Sequence, residues 1–295
     1  MSGERANLVD RIRGQINDKR SYATLRLGQL MCGEEASGGQ AGDVEHAAAV
    51  TPGSLWERYQ QLLSTAQIEL YYCGSAEEER VARALKEALS ALPVNEGRIC
   101  PDCEVRLHAG PEPSMVEESM DVTQGKLAMG FRTGGVTCWE EEYPAMAMCN
   151  AVFGGTTLSK LFMNVREKLS LCYYASSAYH RQKRLITVSS GIEFQNYQKA
   201  YDEIMAQLAA VQAGRLEDWE LEGARSTLLN AYASMGDSQG KLENFYLGQA
   251  ATGQEDTPEL LAEQVRHVTA ERIFDAMQTV SLDTVYFLKG KETAE

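Results

Sequence analysis

The sequence of 295 residues lacks any long apolar run, and its start lacks the basic and apolar regions of a signal peptide. We therefore expect no membrane-spanning segment and a cytoplasmic protein. Basic residues are also in deficit, because 28 Lys and Arg stand against 42 Asp and Glu, a formal net charge of −14. This charge argues against nucleic acid as a partner and favours basic or neutral peptides.

Histidine is scarce. The sequence has four, none of which pairs with another at helical spacing: His46, His108, His180 and His267. A helical zinc site needs two imidazoles on one face, a carboxylate base and a third ligand. The sequence therefore predicts no metal ligands in this chain. It also lacks a Gly-x-Ser-x-Gly motif and a phosphate-binding glycine loop.

The seven cysteines are an odd number in a mid-sized chain without a secretion signal, so we expect most to be buried free thiols. Cys100 and Cys103 form a Cys-x-x-Cys pair. No second pair or His pair follows at zinc-finger spacing, so the pair is interpreted as incidental. A redox pair or half of a zinc site is the alternative.

The first third of the chain has helical patterns and one apparent strand. Residues 4–32 have a helical pattern that is broken near Asn17–Asp18, and further helices are predicted from Thr51 and over 77–89. Residues 67–74 alternate and are predicted to form a strand. Prolines and glycines over 93–115 indicate a linker.

The remainder predicts a complete domain. Strands are expected over 116–132, interrupted at Gly125, then over 184–194 and 281–290, with a helix over 140–152. Helices are also expected over 197–213, 216–235, 241–251 and 258–280. This order indicates an α+β fold, a two-layer domain in which helices cover one face of a mostly antiparallel sheet.

Residues 150–177 contain a helix followed by a strand. Leu158, Leu161 and Val165 recur at helical spacing, and the helix is expected to end near Leu169–Ser170. Arg166 in the last turn and Tyr173 in the strand would then lie on the two arms of one bend. They could serve one ligand. Alternatively, Arg166 only compensates the helix C-terminus and Tyr173 packs.

This stretch resembles the C-terminal domain of the pitrilysin/insulinase/mitochondrial processing peptidase family of zinc metallopeptidases. The matching residues are Leu161, Phe162, Val165, Arg166, Glu167, Lys168, Leu171 and Tyr173. Ser170 stands where the family usually has glycine. The resemblance implies that Arg166 and Tyr173 reach the substrate at a zinc site, that Phe162 lines a pocket, and that Gly154 and Gly155 open the helix and contact substrate.

The resemblance also implies a domain organisation. Residues 1–92 would be the C-terminal part of a first peptidase-like domain, 93–115 a linker, and 116–295 a complete second, inactive and substrate-contacting domain. The family's opening strands and zinc-binding helix would precede Met1. The first segment is expected to pack on the second domain or, in a homodimer, on a copy of itself.

Family members built from two chains divide the labour, since one holds zinc and the other supplies the arginine and tyrosine. The resemblance therefore implies a non-catalytic subunit, with peptide as substrate, zinc in a sister peptidase subunit and no cofactor in this chain. A peptide-binding or scaffold protein without a role in hydrolysis is the alternative. A third hypothesis is an enzyme with a cryptic metal site at His46 or at Cys100 and Cys103.

Overall fold

A computed structural model describes residues 2–33, 42–92, 106–134 and 142–291. The chain divides into two compact units. The first comprises Met1–Ile12, Gly42–Glu104 and Met235–Glu255, and the second comprises Arg13–Ala41, Val105–Ser234 and Asp256–Glu295. This division cuts across the predicted ranges, because residues 13–33 group with the sheet. Cys100 and Cys103 lie outside the described residues.

The α-helices account for about half of the described chain. They are α1 (Ser2–Gly14), α2 (Lys19–Cys32), α3 (Val44–Ala49), α4 (Pro52–Thr65), α5 (Glu78–Leu89), α6 (Tyr143–Asn150), α7 (Tyr197–Gln212), α8 (Asp218–Ala233), α9 (Gln239–Thr252), α10 (Pro258–Arg266) and α11 (Ala270–Gln278). Two π-helices, Ala151–Gly155 and Leu161–Lys168, follow α6. In the described part of the chain, no helix is long and apolar enough to cross a membrane.

Side chains at the helix starts explain several boundaries. Asp18 accepts hydrogen bonds from the backbone N–H groups of Arg20 and Ser21, which places the predicted break between α1 and α2. Thr51 and Ser54 form a reciprocal capping box at the start of α4.

The predicted strand over 67–74 was wrong. Residues 67–74 belong to no helix or strand. A strand is stable only when another strand pairs with it, and an alternating pattern does not supply that partner. Within the same unit, the ring of Tyr71 instead stacks on Tyr246 of α9, with 6.2 Å between ring centroids.

The second unit is built on a five-stranded sheet in the order β1-β5-β2-β4-β3. The strands are β1 (Ser114–Met120), β2 (Gly125–Arg132), β3 (Cys172–His180), β4 (Leu185–Ile192) and β5 (Ser281–Gly290). Strand β1 pairs with β5 in parallel, and the other pairs are antiparallel. The predicted α+β class with a mostly antiparallel sheet is confirmed.

Helices lie on both faces of this sheet. Successive side chains of β2 point to opposite faces. The ring of Phe131 packs edge-on against Phe153, which follows α6, at 6.1 Å between centroids. On the opposite face, a Cβ added at Gly130 would strike Met31 of α2. The main helical layer therefore covers one face, as predicted, and α2 is an addition on the other.

The core beneath α2 is apolar and buried. Its members are Ala23, Leu27, Met31, Ala128, Leu185, Tyr286 and Leu288. The buried Arg132 donates to the carbonyl of Met31 at the end of α2, 101 residues earlier in the chain. These contacts explain why residues 13–33 belong to the second unit.

The single helix predicted over 258–280 is two helices, α10 and α11. Arg225 of α8 donates from Nη1 to the carbonyl of Val265 at 2.6 Å and from Nη2 to that of Val268 at 3.0 Å. These bonds satisfy carbonyls at the end of α10, and Thr269 caps the start of α11. The periodic pattern runs through this corner and does not reveal it.

Candidate functional site

A surface pocket of about 470 Å³ lies in the second unit, where the second π-helix turns into β3. Its lining consists of Arg166, Glu167, Ser170, Leu171, Cys172, Tyr173 and Glu193. The structure thus brings Arg166 and Tyr173 to one concave surface, the arrangement that their spacing across a bend predicts. Their action on a substrate stays a prediction.

The bend itself depends on Ser170. The N–H of Ser170 donates to the carbonyl of Arg166 at 3.1 Å, and the N–H of Leu171 donates to that of Val165 at 3.0 Å. This pair of bonds is similar to the Schellman arrangement that ends many helices, but wider, as suits a π-helix. Ser170 has φ 49°, in the left-handed region that favours glycine. The family's usual glycine therefore has a physical reason.

Tyr173 occupies a β-bulge at the start of β3. Cys172 pairs with Ile192 and Tyr174 with Gly191, so the register shifts at Tyr173. A bulge bends its strand and can re-aim a side chain. Here Cys172 is buried, whereas Tyr173 is 63% exposed and faces the pocket.

Arg166 rests on an aromatic ring. Its guanidinium carbon lies 4.6 Å from the centroid of Phe162, a cation–π contact. Its Nη1 lies 3.4 Å from Oε1 of Glu167, and the Arg166 side chain remains 39% exposed. Phe162 was expected to line a pocket. The structure places its ring beneath Arg166 and outside the lining of this pocket.

Glu193 holds the phenol of Tyr173. The hydroxyl donates to Oε1 of Glu193 at 2.8 Å. This hydrogen bond and the negative charge of Glu193 raise the pKa of Tyr173. Burial raises the pKa of the neighbouring Cys172 thiol, against smaller opposing effects of Ser190 and Arg166. Cys172 therefore stays protonated at neutral pH and is a poor nucleophile.

Comparison with known proteins decides the family. Residues 49–228 match the family described as Peptidase M16 inactive domain. The chain is also 34% identical over 294 residues to the "probable inactive metalloprotease YmfF" of Bacillus subtilis strain 168, covering 99% of this chain and 68% of that protein. The chain belongs to the M16 peptidase family. This is the family of the pitrilysin and insulinase resemblance, which is confirmed together with its non-catalytic, peptidase-like character.

Solved structures share the fold of this M16 chain. A crystal structure of a conserved protein from Enterococcus faecalis V583 is 28% identical, covers 100% of this chain and 69% of that chain, and superposes with a TM-score of 0.89. The peptidase M16 inactive domain from Pseudomonas fluorescens is 16% identical, with coverage of 100% and 71% and a TM-score of 0.73. The chain thus spans about two thirds of the length of these relatives.

The two glycines before the second π-helix permit close packing in this M16 chain. Gly154 is buried, and an added Cβ would lie 2.8 Å from the backbone N of Ser177 and 2.7 Å from Cδ1 of Leu161. At Gly155 it would lie 2.7 Å from Nδ2 of Asn150. Gly154 thus lets the first π-helix approach β3 and the second π-helix, and Gly155 leaves room for the preceding Asn150. Their predicted contact with substrate stays a prediction.

The second π-helix is anchored at its start by a pair that sequence reasoning missed. Lys160 donates to both carboxylate oxygens of Glu220 at 2.9 and 2.8 Å, and both side chains are buried. Glu193 was also missed. Its approach to Tyr173 follows from the pairing of β3 with β4, and the alternating pattern over 184–194 was the available signal.

The described residues contain no cluster of metal ligands. Across residues 2–33, 42–92, 106–134 and 142–291, no three His, Cys, Asp or Glu side chains are grouped so as to hold a metal ion. His46 is exposed and pairs with Asp43, the residue that caps α3.

Proposed function

We propose that this chain is a non-catalytic subunit of a zinc metallopeptidase assembly, in which Arg166 and Tyr173 contact peptide held at the zinc of a sister subunit. The observation that carries this proposal is the shared pocket. Both side chains line it, and both are exposed to solvent. The proposed reaction, peptide hydrolysis, is taken from membership of the M16 peptidase family, and zinc is expected in the partner only.

Arg166 suits the charge that develops in peptide hydrolysis. The carbonyl oxygen of the scissile bond becomes negative, and a preorganised donor there contributes about 2.7–4 kcal/mol. The competing ion pair with Glu167 is long and half exposed, and such pairs contribute roughly 0–1 kcal/mol. Substrate can therefore displace Glu167 from Arg166 at small cost.

The test is a cleavage assay in a reconstituted assembly. The chain is combined with an M16 chain from the same genome that carries His-x-x-Glu-His, and hydrolysis of a fluorogenic peptide library is measured. Arg166→Ala is expected to lower the rate by roughly 10²–10³-fold, the usual effect of losing one such donor. If the assembly with Arg166→Ala cleaves peptide at the wild-type rate, the proposal is contradicted.

Arg266→Ala is the matched control. Arg266 is also an exposed arginine in a local ion pair, with Nη1 2.6 Å from Oε2 of Glu263. It lies at the end of α10 and does not line the pocket. The control should cleave at the wild-type rate, and size-exclusion chromatography should show that both variants still form the assembly.

A peptide-binding or scaffold role is the second candidate. One observation favours it, namely that a single chain already presents the pocket with Arg166 and Tyr173 exposed. This role predicts peptide affinity without any partner and no effect of a chelator. Loss of peptide cleavage from the assembly on adding a chelator, with wild-type cleavage restored by zinc, would favour the first proposal instead.

A further inference from the structure

The single proton of the Tyr173 hydroxyl is already engaged. A phenol can donate one hydrogen bond, and an ionised carboxylate can only accept. The 2.8 Å contact between Tyr173 and Glu193 therefore has the phenol as donor. The lone pairs of the Tyr173 oxygen are left for other groups, so this oxygen acts towards the pocket as an acceptor.

We propose that Glu193 is a positioning residue that makes Tyr173 a hydrogen-bond acceptor, so that the pocket binds one peptide unit of an extended substrate. The N–H of that unit donates to the oxygen of Tyr173, and its carbonyl accepts from the guanidinium of Arg166. The inference rests on the proposed function in taking the ligand to be a peptide. It adds which partner donates and which accepts in each hydrogen bond, and it names Glu193 as the residue that fixes this for Tyr173.

The fold places Glu193 for this task. Ile192 at the end of β4 is buried and pairs with Cys172, so the next residue along the chain lies beside the bulge at Tyr173. Glu193 keeps an extended backbone, with φ −69° and ψ 143°, before the helical turn Phe194–Asn196. Its position is thus set by the sheet and by the turn. The raised pKa of Tyr173 agrees with a proton held between phenol and carboxylate.

Electrostatic repulsion disfavours the reverse arrangement, in which Tyr173 donates to the substrate. If Tyr173 donated to a substrate oxygen, it would release Glu193, and the carboxylate would then face the incoming oxygen without a proton between them. Two acceptors in contact repel each other. Arg166 therefore stabilises the negative charge on the scissile carbonyl oxygen, and the Tyr173 oxygen accepts a hydrogen bond from a substrate N–H.

The first experiment locates the proton in the isolated chain. Tyrosines are labelled with ¹³C at Cζ, the Tyr173 signal is assigned with Tyr173→Phe, and its pKa is measured by NMR. Glu193→Gln is expected to lower the pKa of Tyr173 towards its ordinary value. Glu167→Gln removes the same charge from the pocket but leaves the hydrogen bond, so its effect should be clearly smaller. An unchanged pKa in Glu193→Gln would overturn the proposal.

The second experiment tests the acceptor role. The probe is an alanine-based nonapeptide, with a set of twins in which one amide N–H at a time is replaced by an ester oxygen. Affinities are measured from the shift of the same Tyr173 signal, or from backbone amide shifts in Tyr173→Phe. One ester position should bind wild type three- to tenfold more weakly than the amide does, the usual effect of one hydrogen bond. Tyr173→Phe should abolish that ratio and Glu193→Gln should reduce it.

The outcomes separate the two proposals. Equal affinity of wild type for all twins, including the absence of binding by any of them, overturns the acceptor role of Tyr173. The proposed trans-acting function depends instead on the cleavage rate of Arg166→Ala in the assembly. A normal rate there refutes that function while both measurements on the isolated chain stand.

Discussion

Replacing Ser170 by glycine should stabilise the protein. Ser170 holds φ 49° because the chain must turn from the second π-helix into β3. A residue with a Cβ pays roughly 1–2 kcal/mol in the left-handed region. Glycine removes this strain but makes the unfolded chain more flexible, at roughly 0.5–1 kcal/mol. The difference predicts that Ser170→Gly raises the free energy of unfolding by about 0.5–1 kcal/mol.

Urea unfolding followed by circular dichroism measures the change, with the midpoint compared at equal slope. Ser234→Gly is the matched control, because Ser234 also ends a helix but has φ −82°, where a Cβ causes no strain. It should lose about 0.5–1 kcal/mol, the ordinary effect of glycine. If Ser170→Gly shifts the midpoint downwards as Ser234→Gly does, the argument from left-handed strain is wrong.

Three further changes follow from contacts around the site. Gly154→Ala places a methyl 2.8 Å from the backbone N of Ser177 and should destabilise by about 1–3 kcal/mol in the same assay. Lys160→Met leaves the buried Glu220 carboxylate unpaired and should lower the free energy of unfolding by about 3–5 kcal/mol. Hydrogen bonds from Ser21 lower the pKa of Asp18, so its stabilising effect is complete above about pH 4 and is lost as pH falls through the folded pKa. Asp18→Ala should therefore flatten the acid limb of stability against pH.

Each of these changes has its own control. At Gly28 an added Cβ meets nothing within 4 Å, so Gly28→Ala in α2 should stabilise by up to about 1 kcal/mol. The double variant Lys160→Met with Glu220→Gln removes both charges and should cost less than Lys160→Met alone. Asp18→Asn keeps a cap without the charge, so it should flatten the acid limb as Asp18→Ala does while costing less stability.

Local sequence predicted the bend at the candidate site. The apolar spacing of Leu161 and Val165, the end of the helix near Ser170 and the β-prone run from Cys172 lie within one short stretch. Chain connectivity alone then brings Arg166 and Tyr173 together. The bulge at Tyr173 was not predicted, since it depends on the register with β4.

Long-range contacts limited the rest. Glu193 reaches Tyr173 only through the pairing of β3 with β4, and no spacing rule along the chain encodes that pairing. The alternating residues 67–74 fit a strand locally but form none. The apolar stripe of α2 predicted a helix, yet it could not indicate that Leu27 and Met31 pack on a sheet formed much later in the sequence.

The position of α2 determines how far the protein can be shortened. A chain trimmed to begin at β1 would retain all five strands but lose the helix that covers Ala128, Leu185, Tyr286 and Leu288. Those side chains would form an apolar surface exposed to water, and copies of the fragment would associate through it. A usable fragment of the second unit therefore requires residues 13–33 to be fused or supplied alongside the strands.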